Sequence, residues 1–252
     1  MRYFAYLIFL VLAGCASPAQ KGSSSTVDPD ARNRAVIHTQ LGAGYLERAQ
    51  LGIALQELTV ALKADPNYSQ AHNMLGLVYM ELREYSRAEE SFQRALQLDP
   101  TNSEAHNNYG WFLCQRDRVD ESIPHFLAAL KDSLYSTPER SYLNAGICSL
   151  KKNDVASAEE FFQKALKIRA DQPQVLLALA QINFKAAKFG DSKFYLDKYI
   201  QVSEPTAESL WLGVRLARKL QDRGSELSYG MQLRRKFPES REALAYTSGA
   251  LE

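Results

Sequence analysis

A small residue returns at Gly42, Gly76, Gly110, Gly146, Ala180 and Gly213, at intervals of 34, 34, 36, 34 and 33 residues. A period of this length marks a stacked array rather than a closed globule, because one such unit cannot bury its own apolar face. Downstream of each small residue stands a triplet spaced i, i+4, i+7: Ala54/Leu58/Ala61, Ala88/Phe92/Ala95, Ser122/Phe126/Ala129, Ala158/Phe162/Ala165, Ser192/Leu196/Tyr199 and Ser225/Tyr229/Gln232. That spacing places three side chains on one face of a helix. Each unit therefore reads as two antiparallel helices, with the small residue of the first admitting a close approach of the second, opposite the leading Ala or Ser of the triplet. Pro66 and Pro100 end the second helix of their units.

Spacing and residue types together are those of the tetratricopeptide repeat (TPR). The expected fold is all-α: a right-handed superhelix of six TPR units closed by a C-terminal capping helix. The units fall at 35–68, 69–102, 103–136, 139–172, 173–205 and 206–239, with the cap at 240–252. Two extra residues precede the fourth unit, near Tyr135-Ser136-Thr137-Pro138-Glu139, where Thr137 is expected to cap a helix that Pro138 begins.

The amino terminus is of another kind. Met1-Arg2 is followed by eleven apolar residues, Tyr3 to Ala13, long enough for a signal-peptide core and short of the roughly 20 needed to span a bilayer. The run ends Leu12-Ala13-Gly14-Cys15, which resembles a bacterial lipobox. Residues 1–14 are then a removable signal, and Cys15 becomes the mature N-terminus carrying diacylglycerol and N-acyl chains; the plainer alternative is a secretory signal with an incidental cysteine. Several acyl chains hold a protein on a membrane almost permanently. Ala16, in place of the Asp that marks inner-membrane retention, implies the outer membrane. Residues 15–34 contain one large aliphatic, Val27, and no aromatic, so they read as a flexible tether.

Lys and Arg total 30 against 29 Asp and Glu, which argues against a nucleic-acid partner. No nucleophilic triad, phosphate-cradling loop or zinc-protease motif is present, so the chain reads as a non-catalytic scaffold without a metal or dissociable cofactor. His38, His72 and His106 stand 34 apart, one per unit; stacked helices lie roughly 10 Å apart, too far for the three imidazoles to share an ion. His125 stands alone on a second helix. Cys114 and Cys148 occupy neighbouring first helices and read either as a disulfide in an oxidising compartment or as two small buried apolar residues.

In TPR arrays the first helices line a concave face. Here that face is expected to hold Thr39, Ala43, Leu46, Asn73, Leu77, Met80, Asn107, Trp111, Leu143 and Ile147, continuing to Gln181 and Phe184. A groove of this composition suits an amphipathic helix or an extended apolar segment of a protein partner; the competing expectation is that these side chains pack on one another.

Several strings exceed what a generic repeat requires: 106–114 (HNNYGWFLC), 135–139 (YSTPE), 144–148 (NAGIC), 207–213 (AESLWLG) and 237–240 (FPES). With the lipobox and six units they resemble the PilF/PilW family of type IV pilus lipoproteins over essentially the whole chain. The resemblance implies an outer-membrane pilotin, monomeric and lipid-anchored, that helps the secretin subunit PilQ reach the outer membrane and multimerise. The alternative is a TPR lipoprotein adaptor for peptidoglycan or outer-membrane protein assembly machinery.

Overall fold

The computed structural model describes residues 29–249. They form thirteen helices and no strand: α1 (Pro29–Glu47), α2 (Leu51–Ala64), α3 (Ser69–Glu81), α4 (Tyr85–Leu98), α5 (Ser103–Gln115), α6 (Val119–Ala129), α7 (Pro138–Lys151), α8 (Val155–Ile168), α9 (Pro173–Lys185), α10 (Phe189–Val202), α11 (Ala207–Lys219), α12 (Arg223–Lys236) and α13 (Arg241–Ser248). Consecutive odd and even helices pair, and the first helices touch in series, α1 to α3 to α5 to α7 and α9 to α11 to α13. The architecture is an all-α TPR solenoid. Among the described residues no helix is long and apolar enough to cross a membrane.

The glycines set how closely the helices of each pair approach. A Cβ at Gly42, Gly76, Gly110, Gly146 or Gly213 would come within 3.0 Å of Leu58, Phe92, Phe126, Phe162 or Tyr229, in that order. The side chain sixteen residues on therefore fills the space the glycine leaves, and the leading residue of the triplet lends only a backbone oxygen, as Ala54 and Ser122 do. This corrects the expectation that the leading Ala or Ser faces the glycine. In the fifth pair the two positions are Ala180 and Leu196, buried in one cluster.

The turn inside each pair is set by a residue in the left-handed region. These are Ala49, Arg83, Asp117, Asn153, Ala187 and Gln221, with φ between 56° and 63°. They recur at 34, 34, 36, 34 and 34, so the backbone counts the same period and the same two-residue insertion as the side chains.

Two boundaries differ from expectation. Helix α1 begins at Pro29, within the segment read as tether. In that extra turn Arg32 reaches Asp65 at the end of α2, 2.7 Å away, and its guanidinium lies 4.7 Å from the Tyr68 ring centre. Asp65 is 3% exposed, so its carboxylate needs a partner, and the extra turn supplies one. Pro138 does open α7, but Thr137 has φ −133° and ψ 53°, and its buried hydroxyl finds no hydrogen-bond partner. Asn102, Asp154, Asp222 and Ser240 do cap their helices by accepting from backbone amides.

Candidate functional site

The apolar residues expected in the groove lie on successive first helices. Ala43, Leu46, Leu77, Met80, Trp111, Leu143 and Ile147 are all half-buried. Leu46 is rooted against the cluster of Leu58, Leu75 and Val78. Leu77 and Met80 rest on Phe92, Tyr109 and Phe112. Trp111 rests on Phe126 and the two cysteines, and Leu143 and Ile147 on the cluster around Phe162. Apart from Ala43, each has its inner edge fixed by the core and an outer edge open, an arrangement that orders an apolar ridge before any partner arrives.

Thr39, Asn73 and Asn107 do not belong to that ridge. They are 3%, 0% and 2% exposed. The Thr39 hydroxyl donates to the Ala35 carbonyl. Asn73 Oδ1 accepts from Asn108 Nδ2 at 3.2 Å, and Asn107 Oδ1 accepts from both Ser141 Oγ and Asn144 Nδ2 at 3.1 Å. These amides form a polar ladder across α3, α5 and α7. Their place in the repeat turns them toward the neighbouring first helix, where a buried amide must be hydrogen-bonded. One donor, Asn73 Nδ2, has no partner. Of the two outlying residues, Gln181 donates to Glu208 at 2.6 Å, and Phe184 lies beneath the Arg215 guanidinium at 4.6 Å.

Cys114 and Cys148 are joined by a disulfide with Cα atoms 5.9 Å apart, and both are fully buried. Lys151 reinforces the junction by donating to the Cys114 carbonyl at 2.8 Å and pairing with Asp117 at 2.6 Å. Lys152 pairs with Asp120 across the same junction. Cys15, the lipidation candidate, lies outside the described residues with the signal and most of the tether.

Each position-equivalent histidine bonds locally, to the linker ahead of its own helix or to the second helix of its pair. His72 and His106 donate from Nε2 to the carbonyls of Pro66 and Pro100, six residues earlier, and His38 donates to Glu57 at 2.6 Å. His125 is not alone: its Nδ1 is 2.9 Å from that of His106, and its ring packs edge-on to Tyr109. With His106 Nε2 donating to Pro100, its Nδ1 accepts and His125 Nδ1 donates. Burial holds His72 and His106 below the ordinary imidazole range; burial, then the His106 charge, brings His125 down to about 4. The signal for the His106–His125 contact was in the spacing: 19 residues also separate His38 from Glu57. Among the described residues no three His, Cys, Asp or Glu side chains are grouped to hold a metal.

The tetratricopeptide repeat family matches residues 69–102, 91–123 and 113–173. The type IV pilus assembly protein PilF of Pseudomonas aeruginosa is 35% identical over 244 residues, covering 96% of this chain and 97% of that protein. The chain belongs to the PilF/PilW family. The solved structure of Pseudomonas aeruginosa PilF superposes with a TM-score of 0.82 at 34% identity, covering 87% of this chain and 99% of that one. The crystal structure of PilW, a widely conserved type IV pilus biogenesis factor, gives 0.75 at 34% identity over 84% and 98%. This PilF/PilW-family chain is thus a TPR protein of type IV pilus biogenesis.

Proposed function

We propose that the protein is a pilotin: an outer-membrane lipoprotein whose TPR array holds a segment of the secretin subunit, PilQ in this family, while acyl chains on Cys15 carry the pair to the outer membrane and promote multimerisation. The reading rests first on the 35% identity to PilF across 96% of the chain. The ridge of Leu46, Leu77, Met80, Trp111, Leu143 and Ile147 supports it, because core-anchored apolar side chains with open edges are what a partner helix or extended segment docks against. No chemistry is assigned to the array; it binds and carries.

The test separates anchor from scaffold. Cys15→Ala is expected to leave a folded protein that no longer fractionates with the outer membrane, and heat-resistant secretin multimers there should fall. Trp111→Ala is expected to keep the anchor and lose secretin in detergent co-purification. Normal multimer levels with Cys15→Ala would refute the lipid-carrier role. Intact pili on deletion, accompanied by envelope defects, would favour an adaptor for peptidoglycan or outer-membrane protein assembly.

A further inference from the structure

Beyond the apolar ridge, the far end of the array carries a cleft of different chemistry. It lies between α9, α11 and α13 and encloses about 290 Å³. Its apolar wall is Phe184, Trp211 and Leu212. Trp211 is half-buried with its inner edge against Leu210, Leu233 and Ala243, so the indole is held in place rather than free to rotate. Three cations, Lys185, Arg215 and Arg241, join the lining.

None of these cations has a carboxylate partner among the described residues. Lys185 and Arg241 form no ion pair among the described residues. Arg215 has only the Phe184 ring, 4.6 Å below its guanidinium. Two carboxylates share the cleft: Glu208 already accepts a 2.6 Å hydrogen bond from Gln181, and Glu242 sits on the first turn of α13. Three cations against two carboxylates leave the cleft with a positive excess.

The geometry points to a docking site for an extended peptide segment in which an acidic residue stands beside a large apolar one. The apolar side chain would lie against the open edge of Trp211, and the carboxylate would pair with Arg215, held over the buried Phe184 ring, and with Arg241. Arginine suits this role because its planar donors grip a carboxylate at two points, and Trp with Arg is the composition of binding hot spots. The volume falls just below the roughly 300–1,000 Å³ range of small-molecule pockets, which fits side chains of a peptide better than a whole cofactor. The inference rests on the array being a peptide-binding scaffold and not on which protein supplies the segment.

The experiment uses the full chain in detergent and two fluorescein-labelled, end-capped hexapeptides: Gly-Asp-Leu-Asp-Phe-Gly and its counterpart with both Asp replaced by Asn. Fluorescence anisotropy should show the acidic peptide binding about tenfold tighter, the worth of a charge-assisted contact, with affinity falling as salt rises. Arg215→Gln and Arg241→Gln should each erase most of that preference while the melting temperature stays at the parent value. Equal affinity for the two peptides, no binding of either, or a preference untouched by both variants overturns the proposal. Because neither peptide comes from a secretin, such a failure leaves the pilotin reading standing.

Discussion

A Cβ placed on Gly76 would stand 2.6 Å from two ring carbons of Phe92. The ring has nowhere to go: it is fully buried, with its centre 5.8 Å from that of Tyr109 and 5.7 Å from that of Phe112. Gly76→Ala should therefore destabilise the protein. Overpacking costs about 1–3 kcal/mol, offset by up to about 1 kcal/mol of helix propensity. Gly44, also inside a helix, has nothing within 4 Å of its would-be Cβ, and Gly44→Ala should stabilise by about 0.5–1 kcal/mol. Urea melts of the two variants should move in opposite directions; a shift in the same direction would show that the rings do not set the helix spacing.

The Cys114–Cys148 bond staples α5 to α7 across the longest linker between pairs, residues 130–137, where Leu134 is 88% exposed. It closes a 34-residue separation, for which chain-entropy arguments give roughly 3–4 kcal/mol. Reduction, or the double change Cys114→Ser and Cys148→Ser, should lower the melting temperature and speed proteolysis within 130–137. Superimposable melts with and without reductant would count against a clamp between the third and fourth pairs.

Stability should fall on mild acidification. A histidine whose folded pKa is depressed binds fewer protons than in the unfolded chain, so its contribution is complete above the unfolded value of about 6.5 and is lost as pH falls toward the folded one. His125, held at about 4, opens a window from about 6.5 down to about 4, and His72 and His106 act with the same sign. Glu121, Asp117, Asp154 and Asp222, whose pKa values are lowered, lose their contributions further into acid. His125→Phe keeps a ring against Tyr109 and removes the titration. Urea midpoints between pH 7.5 and 4.5 should slope less steeply in that variant; identical slopes would exclude His125 as a source.

Ala187 holds φ at 57° with its side chain exposed. A left-handed non-glycine residue is strained by roughly 1–2 kcal/mol, and glycine removes that strain for about 0.5–1 kcal/mol of added chain entropy. Ala187→Gly should raise the melting temperature by a few degrees. A lower temperature would mean that the turn is not strained.

The period, the six helix pairs and the final helix were legible in the sequence, because each pair repeats one relation between a small residue and a large one sixteen positions later. Gly76 with Phe92 and Gly146 with Phe162 carry that relation openly. The turns were opaque: Ala49, Arg83, Asp117, Asn153, Ala187 and Gln221 share one backbone conformation and hardly any side-chain chemistry. The groove was half legible. Helical spacing fixes which face Asn73 and Asn107 occupy, but not how far the next first helix covers that face, and here it covers them. The early start of α1 was hidden for a related reason: Arg32 is held by Asp65, 33 residues away, and not by a local pattern. In the cleft, Gln181 and Phe184 were visible from position, whereas Trp211, Arg215 and Arg241 required the meeting of three helices.

The closing helix uses the rule that builds the pairs. Gly230 on α12 faces Tyr246 on α13, again sixteen residues apart, but the glycine now sits on a second helix instead of a first. Tyr246 is flanked by Arg218 at 5.7 Å and Arg234 at 5.9 Å. The end of the stack is therefore a separable latch. Cutting the chain ahead of Arg241 would bare one glycine groove and one flank of the sixth pair, while every pair keeps its internal contact between a small residue and the side chain sixteen positions on. Length at this end is adjustable by whole helices, which makes it the natural place to lengthen, shorten or fuse the array.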